Sequence, residues 1–403
     1  MMRTTAGDRG DLGRRARSAS AVAWAVAFLS AAGLARGDGA APTVLARTEV
    51  SAYGDTDRTA VITPALIANI ESPTAGWGVT GSFLVDVVTT ASADIVATAS
   101  PRWTELRYAP TIAAHHEVGI ADLSVHGALS HEPDYLSLAM GGGVSVDLAA
   151  KTIVPSLSYT YSHDTIGRAG TPFDVFSRLV QRHTLDGAAT FVIDKATVAI
   201  AAGTAAFESG DGSKPYRAVP VFRPADAERA RPGMRADEID RLRAVERPLE
   251  QLPTDRQRWA LEGRLLHRYA HSTVRIGERL YLDSWGLKAS TTDLRWPVDV
   301  HPLLTVWPHL RLHAQTGVDF WRLAYVTTPS PAGVGLPALR TGDRELGPLL
   351  GFTTGLGSRL QLGRSGWTLG LEGDAVFTEF LDHLYIEHRA GLLGTISVEA
   401  KVE

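Results

Sequence analysis

Trp259, Leu261, Gly263, Leu265 and Tyr269 alternate with Arg258, Glu262, Arg264 and Arg268. A period of two puts apolar groups on one face of a strand and charges on the other, whereas a helix would scatter them around its circumference. The same alternation sets Trp367, Leu369, Leu371, Ala375 and Phe377 against Glu372 and Asp374, and Ala390, Leu392, Ile396 and Val398 against Arg389, Glu399 and Lys401. The pattern predicts strands at 44–53, 58–70, 76–89, 102–114, 117–130, 134–147, 152–163, 178–193, 196–208, 256–270, 273–285, 290–300, 304–326, 345–361, 367–379 and 385–400. Many of these run past the ordinary globular strand and reach the ~9 to 11 residues that cross a bilayer at a tilt. The count is about sixteen, with fourteen the next even number the segments allow, and bacterial barrels use even numbers.

The connections are unequal. Long ones at 90–101, 164–177, 209–255 and 327–344 all follow odd-numbered strands, while even-numbered strands end in short turns such as Asp194-Lys195 and Gly363 to Ser365. Short turns on one side and long loops on the other are the mark of an antiparallel up-and-down transmembrane β-barrel with long outer loops. The parity depends on reading 304–326 as a single strand despite Pro308. The 209–255 loop is rich in Arg, Asp, Glu and Pro. Ile239, Leu242 and Val245 recur in it at helical spacing, so it is expected either to plug the barrel or to stand off its surface.

The N-terminus fixes the expected compartment. Arg14, Arg15 and Arg17 precede the apolar run Ala21 to Ala32, followed by small residues around Gly33, Ala35 and Gly37. That order reads as a secretory signal over residues 1–37, leaving a short lead at 38–43 and a barrel from 44 to 403. Cleavage after Ala35, Gly37 or Ala40 fits equally well. Removing 1–37 takes away Arg3, Arg9, Arg14, Arg15, Arg17 and Arg36 against Asp8 and Asp11, moving the formal charge from −4 to −8. Such a chain is a poor partner for nucleic acid. With no cysteine, disulfides, thiol catalysis and cysteine-held metals are excluded.

If the apolar face meets lipid, the opposite face lines a lumen. The lumen-facing charges are then Arg258, Glu262, Arg264, Arg268, Arg275, Arg279, Asp283, Asp293, Arg295, Arg311, Glu372 and Asp374. Carboxylates and guanidiniums on neighbouring strands can pair, which would fill a sealed barrel or polarise an open one. No catalytic, cofactor or metal set emerges from the spacing. Ser162-His163-Asp164 has triad residue types, but consecutive strand residues point to opposite faces. His115-His116-Glu117 falls at an expected tight turn, Gly141 to Gly143 reads as a bulge or bend, and Glu372 and Asp374 share a face with no converging third group.

Two segments resemble a known family: Val85 to Asp94 (VDVVTTASAD), and the stretch from Leu252-Pro253-Thr254-Asp255-Arg256 through Tyr281-Leu282-Asp283-Ser284-Trp285-Gly286. They are similar to domain of unknown function 3570, a bacterial family. The resemblance implies an exported outer-membrane β-barrel from about Val44 onward and carries no activity or site residue. The end of the chain, Lys401-Val402-Glu403, lacks the terminal aromatic common on last strands of such barrels. The expected function is a porin-like or transport channel for polar solutes in the outer-membrane lipid. A closed structural or adhesive barrel, binding an unknown partner through its outer loops, is the alternative. An outer-membrane hydrolase ranks third.

Overall fold

The computed structural model describes residues 42–90, 103–330, 333–363 and 365–402. The expected signal at 1–37 lies outside them. Sixteen antiparallel strands form one closed sheet: β1 Thr43–Asp55, β2 Thr59–Ser72, β3 Trp77–Thr90, β4 Trp103–Val118, β5 Ala121–Glu132, β6 Tyr135–Val146, β7 Ile153–Ile166, β8 Arg178–Val192, β9 Thr197–Gly210, β10 Asp255–Arg268, β11 Thr273–Asp283, β12 in two pieces (Lys288–Arg295 and Val298–His301), β13 Leu304–Gln315, β14 Leu349–Gln361, β15 Trp367–Phe380 and β16 His388–Val402. Each strand pairs with the next, and β16 returns to β1 in continuous register from Val402 on Val44 to Gly391 on Asp55. Closure removes the unpaired edges that lipid would leave unsatisfied.

The two faces separate as the alternation predicts. Leu261, Leu356 and Leu392 are 67%, 69% and 69% exposed, whereas Asp283, Asp374 and His309 on the other face are below 9%. In a single-layer closed sheet, a side chain shielded to that degree points inward. The outward face carries an apolar band, including Val50, Ile62, Ile112, Met140, Leu185, Leu280 and Ile396, as a transmembrane barrel requires. Among the described residues, no helix is long and apolar enough to cross a membrane.

The expected long loop at 90–101 lies outside the described residues. The loop parity holds for the described connections, although one strand supporting it is shorter than expected. β13 ends at Gln315, not Val326, and the chain then enters a long excursion, 316–348, before β14 starts at Leu349 rather than Glu345. Val318, Phe320, Ala324 and Val326 keep the even-numbered apolar row of β13 and so look strand-like, but Val318, Trp321 and Tyr325 bury in clusters at the barrel's outer end. β16 likewise begins at His388, not Tyr385. His115 to Glu117 lie inside β4, because the turn falls at Gly119-Ile120. Gly141 to Gly143 form no bulge: the β5–β6 and β6–β7 registers run through them unbroken.

The glycines answer to a different demand. A Cβ on Gly141 would run into the His126 ring and the Tyr159 carbonyl, because His126 on β5 leans across β6 to Thr160 on β7, its Nε2 3.0 Å from the hydroxyl. The same device recurs twice. His115 on β4 passes over Gly78 on β3 to reach Glu71 on β2, and His309 on β13 passes over Gly355 on β14 to reach Asp374 on β15. A glycine in the middle strand lets a histidine find a partner two strands away. Gly355→Ala would push a methyl into the Asp374 carboxylate and the Gly373 carbonyl. It is expected to cost about 1–3 kcal/mol, the usual scale of overpacking, read as a lowered urea midpoint in vesicles.

Candidate functional site

The long outer loops fold into a cap. Leaving β9, the chain is held at Asp211 and at the Ser213 carbonyl by Arg178 of β8, at 2.9 and 2.8 Å. Lys214 then lies 5.9 Å from the centre of the Tyr135 ring at the start of β6. Val221–Phe222 pairs in parallel with Tyr325–Val326 of the second long loop, and Gln251 pairs with Arg340. Further on, the Gly233 N–H donates to the His383 carbonyl in the β15–β16 turn, and Arg344 pairs with Asp57 in the β1–β2 turn. These anchors lie at separated points of the rim, so the loops span the mouth. Two short helices, Pro224–Ala227 and Ala236–Leu242, belong to the first loop. Ile239 and Leu242 pack with Phe222, Met234 and Leu384, but Val245 lies beyond the helix and is 88% exposed.

A buried polar centre ties the two loops. Glu250, 3% exposed, accepts from the Thr341 hydroxyl at 2.6 Å, from the Lys214 N–H at 3.2 Å and from Arg217 at 3.4 Å. Arg217 also pairs with Asp343 at 2.7 Å. Burial alone would push the Asp343 carboxyl up, but the Arg217 guanidinium and the Glu345 N–H hold it below the usual carboxylate range.

Below the cap, register and burial place all the expected lumen charges on the inward face. Arg258 reaches Glu208; Glu262 takes both Arg264 and Arg279; Arg268 pairs with Asp299; Asp283 takes Arg256; Arg295 pairs with Glu372 at 3.2 Å. Asp293 stands opposite Arg311 in register but turns to His309, at 3.0 Å, and to Arg295. Arg275 and Arg311 form no ion pair or side-chain hydrogen bond among the described residues, and Arg275 faces Arg295 directly across the β11–β12 pair.

Charge divides across the barrel. On β10 to β13 the inward face carries Arg256, Arg258, Arg264, Arg268, Arg275, Arg279, Arg295 and Arg311 against Glu262, Asp283, Asp293 and Asp299. The diametrically opposite strands, β2 to β5, carry Glu71, Asp86, Glu105, Glu117, Asp122 and Glu132 against Arg107. Between them on one side, β6 to β9 present Asp164, Arg178, Arg182, Asp186 and Glu208 among small groups, and Gly143, Ser145, Ser156, Ser158, Asp186, Ala188 and Ala202 border a recess of about 210 Å³.

The third group missing beside Glu372 and Asp374 is His309, 2.9 Å from Asp374. Ligand atoms of the three lie within 4.8 Å of one another, as do those of Glu105, Glu132 and Asp134 near the rim. Both ring nitrogens of His309 already meet carboxylates, those of Asp374 and Asp293, and Arg295 holds Glu372, so the cluster is satisfied by protein groups. Neither His309 nor its reach across Gly355 carried a signal in the sequence, because three strand registers must be known before the group exists. Ser162 and Asp164 point inward while His163 points out, so the three triad types do not meet.

A protein-family model described as "Protein of unknown function (DUF3570)" matches residues 177–396, more than half of the chain. The chain belongs to that family. No curated protein sequence matches it. Among solved structures, OccK5 (OpdH) of Pseudomonas aeruginosa aligns at TM-score 0.43 and 10% identity, covering 90% of this chain and 98% of that one. CdiB of Acinetobacter baumannii aligns at TM-score 0.43 and 11% identity over 88% and 60% of the two chains. The siderophore receptor PirA of A. baumannii aligns at 0.42 and 8% over 83% and 53%. This member of DUF3570 thus spans only about half to three fifths of the length of PirA and CdiB. Its closed sixteen-strand sheet with an apolar outer band is that of an outer-membrane β-barrel.

Proposed function

We propose that the protein is a porin-like conduit for polar solutes, its outer mouth covered by the folded loops. The observation that carries this reading is the solvent exposure of the inward charges. The side chains of Arg264, Arg359 and Arg279 are 57%, 55% and 47% exposed although they point into the barrel. A barrel sealed by its own side chains would bury them, as small barrels do. Arginine and carboxylate walls facing each other across water give a transverse field that orients polar and ionic solutes.

The test is a planar-bilayer recording of folded, inserted protein before and after deletion of residues 213–253. The intact protein is expected to conduct weakly and the deletion to conduct several-fold more. Absence of current from both would remove the reading. The ordered cap favours a second one, a surface barrel that displays its loops to a partner, since Val245, Leu249, Leu336 and Leu339 are exposed there. That barrel would pass no current in either form.

A further inference from the structure

Arg264, Arg275, Arg279, Arg295 and Arg311 border one recess of about 470 Å³ on the inner wall, with Glu262 and Asp293 as the carboxylates turned toward it. Glu278, though near, belongs to the outward face, where the Ser290 and Thr292 hydroxyls donate to it. Glu262 is shared between Arg264 and Arg279, and Asp293 between His309 and Arg295. Arg275 and Arg311 are left without a carboxylate among the described residues, and the like charges of Arg275 and Arg295 stand directly opposite each other. Like charges so placed destabilise a strand pair, and guanidinium cannot shed its proton to relieve them.

We propose that this recess binds small oligoanions, solutes carrying two or more carboxylate or phosphate groups, as they traverse the lumen. The free guanidinium forks suit oxyanions bidentately. Arg275 on β11 and Arg311 on β13 stand two strands apart, about 9.6 Å, and one inward step of about 6.8 Å out of line, with Arg295 of β12 between them. Their long side chains can converge from that spacing on two anionic groups of one small molecule. A monoanion would leave one fork unmatched, and a cation would be repelled. The proposal deepens the conduit reading and takes from it only that the lumen holds water.

The test is calorimetric titration of the detergent-folded protein at low salt with citrate and, separately, with pyrophosphate, using spermidine as the cationic control. Saturable binding of at least one anion is expected, weakened at least about tenfold (about 1.4 kcal/mol) in Arg275→Gln/Arg311→Gln. It should be unchanged in Arg359→Gln, which alters an arginine outside the recess. Neither Arg275 nor Arg311 holds a carboxylate, so their removal orphans no partner, and heat-modified gel mobility checks that each variant is folded. Binding of citrate alone or pyrophosphate alone would name the anionic group and support the site. No saturable binding, equal binding of spermidine, or full binding by the double variant would overturn it. Bilayer current separates the two ideas: anion binding without current keeps the site and removes the conduit, and current without binding does the reverse.

Discussion

Asp283→Ala is expected to destabilise the barrel by about 3–5 kcal/mol, the scale of leaving a buried charge without its partner. The Asp283 carboxylate is fully enclosed and accepts from four groups. These are the Arg256 guanidinium from β10, the Tyr281 hydroxyl at 2.9 Å, the Trp285 N–H at 2.9 Å and the Leu287 N–H at 3.1 Å. Arg256 is itself only 11% exposed and lies over the Trp285 ring, 4.1 Å from its centre. Truncating the acid strands that guanidinium and frees two N–H groups of the β11–β12 turn at once. Urea unfolding in lipid vesicles, followed by tryptophan fluorescence, should show the midpoint fall. Arg256→Met/Asp283→Ala should recover much of the loss, because the unpaired charge is then gone. An Asp283→Ala midpoint equal to that of the unaltered protein would refute this account.

The same residues show what the sequence could reveal. Tyr281-Leu282-Asp283-Ser284-Trp285-Gly286 stood out as a family-like segment, and the structure supplies its physical reason. Tyr281 and Asp283 share the inward face, Trp285 stacks on the arginine that Asp283 holds, and Gly286 sits at φ +89° with Asp319 where a Cβ would project. Alternation was enough for the strands, their faces and the side bearing the long loops, since lipid demands a period of two. It failed where apolar spacing served another purpose. Val318, Phe320 and Ala324 continue the even-numbered apolar row of β13, yet they pack with Leu287 and Phe222 in the cap, and no local signal separates a lipid-facing row from a cap core. The unmatched arginines were legible as inward charges. Their lack of partners was not, because it depends on Asp293 choosing His309 over Arg311.

Loss of the cap's buried centre should act on the mouth and spare the wall. Glu250→Ala leaves the Lys214 N–H and the Thr341 hydroxyl without their acceptor and Arg217 with Asp343 alone. Breaking a buried charged network of this kind costs about 3–5 kcal/mol. The cap rests on small clusters such as Phe222, Met234, Ile239 and Leu384, so a loss of that size is expected to unfold the loops locally while the strand ladder persists. Trypsin should then cut at Arg229, Arg235 or Arg241, none of which precedes a proline, in the folded, inserted variant and not in the unaltered protein, and bilayer current should rise toward that of the 213–253 deletion. Acid should act at the same lock. Asp343 is held below its unfolded value of about 3.9, so its contribution is complete above that pH and is lost as pH falls through the lower folded value. Current is therefore expected to stay level from about pH 5 to 8 and to rise only below about pH 4. A rise between pH 5 and 7 would assign the opening to a different group, and an Glu250→Ala cap that resists trypsin would show that the apolar clusters alone hold the mouth closed.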